Sequence, residues 1–320
     1  MVALSLADLL APVTPEQFAT EYWGRRALHV TGPADRFAAL IDDESFAAAL
    51  ALGRSRVGVL HPADPDEPLT AGYTQTVGAS EVDAAVAAGR TVCVTDLSNG
   101  SPALAALAET LRAQLGTVGP ARFNAFLSPP GSGADLHIDA RVTTSLQVQG
   151  RKEWWFGSRP AVDWPRSNVQ RLPTGEPVWM YPWCGSRPWE ALAPVSREGL
   201  EHVVLEPGDL LCLPAGTWHA ARAVDRSFAL NLSFSPPDVP ALVAAVLGDH
   251  LGDSQRWRGD LPPSPGTHTG EASAMHAPTR AVLVDMLTEA AAVLERQARL
   301  LARGDPSEVE EQWRRACGRR

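Results

Sequence analysis

Glu206-Pro207-Gly208-Asp209-Leu210-Leu211-Cys212-Leu213-Pro214-Ala215-Gly216-Thr217-Trp218-His219 is the stretch that decides the architecture of this chain. Pro207-Gly208 marks a tight turn, Asp209 to Leu213 is an apolar run of strand length, and Pro214-Ala215-Gly216 turns the chain again. His219 is thereby delivered at the start of a further strand. The same grammar extends outward to His202–Leu205 and Phe228–Phe234 on either side. Upstream it recurs at Thr91–Thr95, Phe123–Leu127, Thr143–Gln149 and Glu153–Phe156. Many short strands divided by Gly and Pro turns predict a β-sandwich or barrel.

The flanks read differently. Residues 1–90 carry helix-like spacing at Pro15–Tyr22, Arg36–Leu40 and Ser45–Leu52, and read as a preface of helices and loops. Pro102–Leu115 repeats apolar residues at helical intervals. Residues 91–236 form the β core, interrupted by a Pro-rich stretch, Gly157 to Leu200, with Trp164, Trp179, Trp183 and Trp189. So long a stretch without periodicity is either a lid over a site or an insertion packed by its own aromatics. Residues 237–320 return to helix: Val239–Leu251, a linker from Leu261 to Pro278, then an amphipathic run from Thr279 to Ala302. Its stripe, Leu283, Met286, Leu287, Ala290, Val293, Leu294 and Leu301, suits core packing or a homodimer contact.

With 320 residues, 45% of them apolar, the chain can bury a substantial core. Cys93, Cys184, Cys212 and Cys317 include no CxxC pair, so free thiols in a reducing interior are expected. No signal-like or membrane-spanning run is visible, and a cytoplasmic location is the expectation. A net charge of −9 and a pI near 5.4 argue against general nucleic-acid binding and accommodate a basic partner more easily. The basic tail, Arg314 to Arg320, reads as a solvated terminus.

The chemistry centres on Leu136-His137-Ile138-Asp139. In an extended segment residues i and i+2 share a face, so His137 and Asp139 can converge on one metal while Ile138 packs the other way. With His219 they make two imidazoles and a carboxylate, the donor set that leaves three adjacent positions open on Fe(II). A closed zinc site would need a fourth ligand, and none stands at a diagnostic spacing. Mn, Ni or Zn would fit the same donors. Lys152 follows the Gln149-Gly150 turn. A cation one strand from the metal can bind the distal carboxylate of a 2-oxo acid that chelates through the other end.

Together, His137-x-Asp139, Lys152 after a Gly-containing turn, and the run from Gly208-Asp209 through Pro214-x-Gly216 to His219 resemble the JmjC-like oxygenases, especially the bacterial cupin-like ribosomal oxygenases and related protein hydroxylases. Phe18 to Arg26 is similar to the opening segment of that branch. The resemblance implies a mainly β chain with added helices, whose core is a double-stranded β-helix, or jelly roll. It further implies Fe(II) on His137, Asp139 and His219, 2-oxoglutarate on Lys152, and dioxygen as oxidant. Thr144, Asn124 and Asn231 become candidate auxiliary contacts to 2-oxoglutarate. The expected reaction hydroxylates a protein or peptide side chain, or demethylates an N-methyl group, with succinate and CO2 formed. Two alternatives stay open: the same chemistry on a small molecule or biosynthetic peptide, and a cupin binding module without turnover. The region after Pro236 has room for the helical dimerisation region of the ribosomal oxygenases but not for their winged helix as well, which makes a ribosomal-protein substrate less secure.

Overall fold

The computed structural model describes residues 4–60, 75–117, 119–165, 167–171, 177–179, 192, 195–235, 239–261 and 277–303. They fall into two units, Met1–Pro236 and Pro237–Arg320. The strands of the first are β1 (Leu28–Val30), β2 (Arg56–Leu60), β3 (Gln75–Val77), β4 (Thr91–Thr95), β5 (Ala121–Ser128), β6 (Gly133–Ile138) and β7 (Val142–Gln149). They continue with β8 (Lys152–Phe156), β9 (Val169–Arg171), β10 (Pro177–Trp179), β11 (Glu201–Leu205), β12 (Leu210–Leu213), β13 (Trp218–Ala223) and β14 (Ser227–Phe234).

One sheet runs β1-β12-β7-β14-β5-β4-β2-β3 and the other β10-β9-β6-β13-β8-β11. Within them, β12-β7-β14-β5 faces the chemistry from one side and β6-β13-β8-β11 from the other. Counting β5–β8 and β11–β14 in chain order, successive strands alternate between the sheets except from β8 to β11, which pair side by side in the second sheet, and this is jelly-roll winding. The expected fold class is what the chain adopts. The insertion enters between β8 and β11, and its described part adds β9 and β10 to the edge of the second sheet, with Gln170 opposite His137.

Residues 1–90 depart from the sequence reading. Besides the helices Leu6–Leu10 and Asp43–Ala51, they supply β1, β2 and β3 to the first sheet, and Arg36–Leu40 forms turns rather than a helix. β1 and β3 have only three residues each, too few for a period of two to register. In β2, Val57 and Val59 join the core and pair across to β4. The helix Pro102–Leu115 begins at an Ser101 cap with Pro102 in its first turn, and packs Leu104, Ala108 and Leu111 against that core. Each large apolar side chain buried there contributes about 1.5–3 kcal/mol relative to exposure.

The period-2 alternation of the first sheet builds the site. Val92, Val94, Phe123, Ala125, Leu146, Leu230 and Leu232 point into the apolar core. Their chain neighbours Thr91, Cys93, Thr95, Asn124, Ser128, Thr143, Ser145, Asn231 and Ser233 line a cavity on the opposite face. A one-residue slip would exchange the two sets, so apolar burial on one face fixes the polar wall on the other.

In the second unit the helices are Val239–Leu251, Gln255–Arg258 and Ala277–Ala302. Of the sequence stripe, Ala290 is buried, whereas Leu287 and Leu301 are exposed. The tail from Arg314, the greater part of the linker, and Trp183 and Trp189 lie outside the described residues. No helix among the described residues is long and apolar enough to cross a membrane.

Candidate active site

His137 lies near the end of β6, Asp139 just beyond it, and His219 on β13 directly opposite His137 in register. The Pro214–Thr217 turn locks this arrangement. Gly216 has φ +86, and a Cβ there would stand 1.7 Å from the Val162 carbonyl oxygen, so only glycine fits. Its N–H donates to the Asp139 carbonyl at 2.9 Å, tying the turn that delivers His219 to the residue that supplies the carboxylate. One ligand atom from each of His137, Asp139 and His219 lies within 4.8 Å of the others.

The imidazoles are oriented by backbone. His137 Nδ1 is 2.7 Å from the Asp135 carbonyl and His219 Nδ1 is 2.9 Å from that of Thr217. A carbonyl can only accept, so each Nδ1 carries the proton and each Nε2 keeps its lone pair for a metal. Burial, followed by the neighbouring His137, pushes His219 down to about 4, so it is neutral at physiological pH. Burial opposes charge on Asp139, but the two histidines, Arg141 and the Thr143 hydroxyl outweigh it and hold the carboxyl below its usual range. Two imidazole nitrogens and one carboxylate, with no fourth His, Cys, Asp or Glu in the cluster among the described residues, fit an open Fe(II) site.

Asn168, on the insertion, went unrecognised in the sequence. Its Nδ2 donates to Asp139 Oδ1 at 2.8 Å, and its Oδ1 accepts from Ala140 N at 2.8 Å. Thr143 Oγ1 donates to Asp139 Oδ2 at 3.2 Å. The carboxylate is therefore held at both oxygens. Losing an outer partner of this kind costs about 10- to 100-fold in metal affinity. Asn168→Ala is expected to show that drop in a Co(II) titration, and an unchanged affinity would make Asn168 a loop anchor alone.

The cavity beside the triad has a volume of about 300 Å³. Lys152 sits in its wall at 4% exposure, its Nζ donating to Ser128 Oγ at 3.0 Å. Thr91 Oγ1 donates to the same Ser128 oxygen at 3.1 Å and lies 2.8 Å from Ser132 Oγ. Burial lowers Lys152 to about 8. Among the described residues no carboxylate pairs with it, and the nearby Cys93 thiol, pushed up by burial to about 11, is neutral. Trp154 also lines the cavity, its ring 6.0 Å from that of His219, and its indole N–H is buried without a partner among the described residues.

Asn124 and Asn231 reach this wall as well, linked through Ser233: Asn124 Nδ2 donates to Ser233 Oγ at 3.2 Å, which donates to Asn231 Oδ1 at 2.7 Å. Thr144 does not. It lies on the other face of β7, where its hydroxyl meets the Cys212 thiol, and Thr143 and Ser145 take the cavity face instead. Counting by twos from buried Leu146 separates these positions. Of the histidines given no role, His202 stacks on Trp155 with ring centroids 5.0 Å apart, and His29 lies 3.7 Å from Asp209.

A family model described as JmjC domain matches residues 103–242. A Bacillus subtilis protein, YxbC, is 29% identical over 270 residues, covering 79% of this chain and 77% of its own. Ribosomal oxygenase 1 of chicken is 26% identical over 280 residues, and the match spans 41% of that longer protein. Among solved structures, the Escherichia coli ribosomal oxygenase YcfD in complex with cobalt and 2-oxoglutarate superposes with a TM-score of 0.51 at 18% identity. That match covers 87% of this chain and 66% of the other, and at this identity it speaks to fold.

Proposed function

Because the chain carries a JmjC domain over residues 103–242, we propose that it is an Fe(II)- and 2-oxoglutarate-dependent oxygenase that hydroxylates a side chain of a protein or peptide. The observation that carries this reading is the buried, carboxylate-free Lys152 cation in the same cavity as an open His137–Asp139–His219 set. A lone buried cation is costly. A dicarboxylate chelated to the metal at one end and held by Lys152 at the other removes that cost.

Fe(II), when bound with 2-oxoglutarate and dioxygen, supplies the oxidising power, converting 2-oxoglutarate to succinate and CO2. The chain's own residues supply position. His137 and His219 offer Nε2 lone pairs set by the Asp135 and Thr217 carbonyls, and Asn168 and Thr143 hold the Asp139 carboxylate. Lys152, with the Ser128 and Thr91 hydroxyls, receives the distal carboxylate, while Asn124, Asn231 and Trp154 offer further polar groups along the wall. A cavity of about 300 Å³ is at the small end of ligand sites. It suits the co-substrate plus one inserted side chain.

The test is succinate formation from 2-oxoglutarate by anaerobically Fe(II)-loaded protein after air is admitted. Wild type is expected to form succinate and His137→Ala none; equal turnover in both would remove the triad from the mechanism.

A further inference from the structure

Arg141 stands two residues beyond Asp139, in the turn between β6 and β7, and lines the cavity. Among the described residues its guanidinium has neither a hydrogen-bond nor an ion-pair partner. Asp139 feels its charge, but the hydrogen bonds to the two Asp139 oxygens come from Asn168 and Thr143 rather than from Arg141. The other arginine in the lining is committed: Arg56 shares Asp96 with Arg122, at 3.4 and 3.1 Å. Asp139 is the one carboxylate among the residues described around the cavity.

The charge balance of the loaded site, which rests on the function proposed above, makes Arg141 conspicuous. The two charges of Fe(II) and the one of Lys152 cancel the two of 2-oxoglutarate and the one of Asp139. Arg141 is left over in the cavity lining, one residue beyond Ala140, whose N–H donates to Asn168. A guanidinium in a partly desolvated cavity seeks a planar anion that it can engage by two parallel hydrogen bonds.

We propose that Arg141 receives a substrate carboxylate, so that this oxygenase selects a polypeptide segment presenting an acidic side chain at the cavity. The expectation of a basic substrate, drawn from the overall charge of −9, reverses at the site, because the surplus of negative charge lies outside the cavity.

The experiment uses full-length protein loaded with Co(II), first titrated with 2-oxoglutarate and then with blocked amino-acid probes. The probes are the N-acetyl methylamides of aspartate and glutamate, of asparagine and glutamine, and of arginine, followed through the visible absorption of Co(II). The carboxylate probes are expected to bind wild type at least about tenfold more tightly than the carboxamides, as a charged hydrogen bond provides. That preference should vanish in Arg141→Gln and partly survive in Arg141→Lys, with 2-oxoglutarate affinity unchanged in both. Wild type that does not prefer the carboxylates, or Arg141→Gln that keeps the preference, overturns the proposal. So does a loss of 2-oxoglutarate affinity in Arg141→Gln, which would assign the guanidinium to the co-substrate. Failure of Co(II)-loaded wild type to bind 2-oxoglutarate at all would instead overturn the oxygenase reading, and this one with it.

Discussion

Lys152→Met weakens 2-oxoglutarate binding by about 10- to 100-fold, the value of a charge-assisted hydrogen bond, and at the same time makes the ligand-free protein more stable. The second effect is the distinctive one. The unfolded chain holds the lysine proton up to 10.5 and the folded chain only to about 8, because burial disfavours the cation. Between those values the unfolded state binds more protons, so wild-type stability rises with pH across that window. Below about pH 8 the charge is a net cost, and methionine, of similar length, removes it for a gain of roughly 1–3 kcal/mol. Thermal melts of apo protein at pH 7 and pH 9.5 check both parts: the variant should melt higher at pH 7, and the gap should narrow at pH 9.5. The same linkage predicts that 2-oxoglutarate affinity falls by about tenfold per pH unit above 8 in wild type, since the ligand needs the protonated amine. A variant that melts lower and binds 2-oxoglutarate normally would make Lys152 an ordinary structural partner of Ser128.

His219→Ala removes one of three donor atoms from the triad and is expected to lower Fe(II) affinity by more than the roughly 10- to 100-fold that a lost outer partner costs. Turnover should fall below detection. The backbone need not suffer, because the turn that carries His219 is held by Gly216 and the Asp139 carbonyl rather than by the imidazole. Equilibrium dialysis against Co(II), with circular dichroism as the folding control, reads both. Metal retained at wild-type affinity would mean that the cation sits elsewhere.

The strands that carry the triad were legible in the sequence because Gly and Pro turns bracket apolar runs of strand length, and the spacing from His137 to Asp139 and on to His219 stands within them. Lys152 was legible for the same reason, as the first residue after a turn. What failed was the assignment of faces. Thr143 and Thr144 are chemically alike, and only the partition set by Leu146 and the core beneath it decides which hydroxyl enters the cavity. Asn168 was hidden for a different reason: its value lies in meeting Asp139 from the far side of β7 and β8, and no local period encodes a contact of that kind. The three-residue strand β1 has its pairing partner, β12, far along the chain, so tertiary context rather than propensity makes it a strand.

The central claim is that one cavity chelates 2-oxoglutarate to Fe(II) on His137, Asp139 and His219 while Lys152 holds its far end. An anaerobic titration of Fe(II)-loaded protein with 2-oxoglutarate, followed through the visible absorption that a chelated 2-oxo acid gives Fe(II), tests it directly. The account predicts a saturable band in wild type, the same band in Lys152→Met only at 2-oxoglutarate concentrations higher by about tenfold or more, and none in His219→Ala. Metal-loaded wild type that develops no band, or a Lys152→Met titration that overlays wild type, would contradict it.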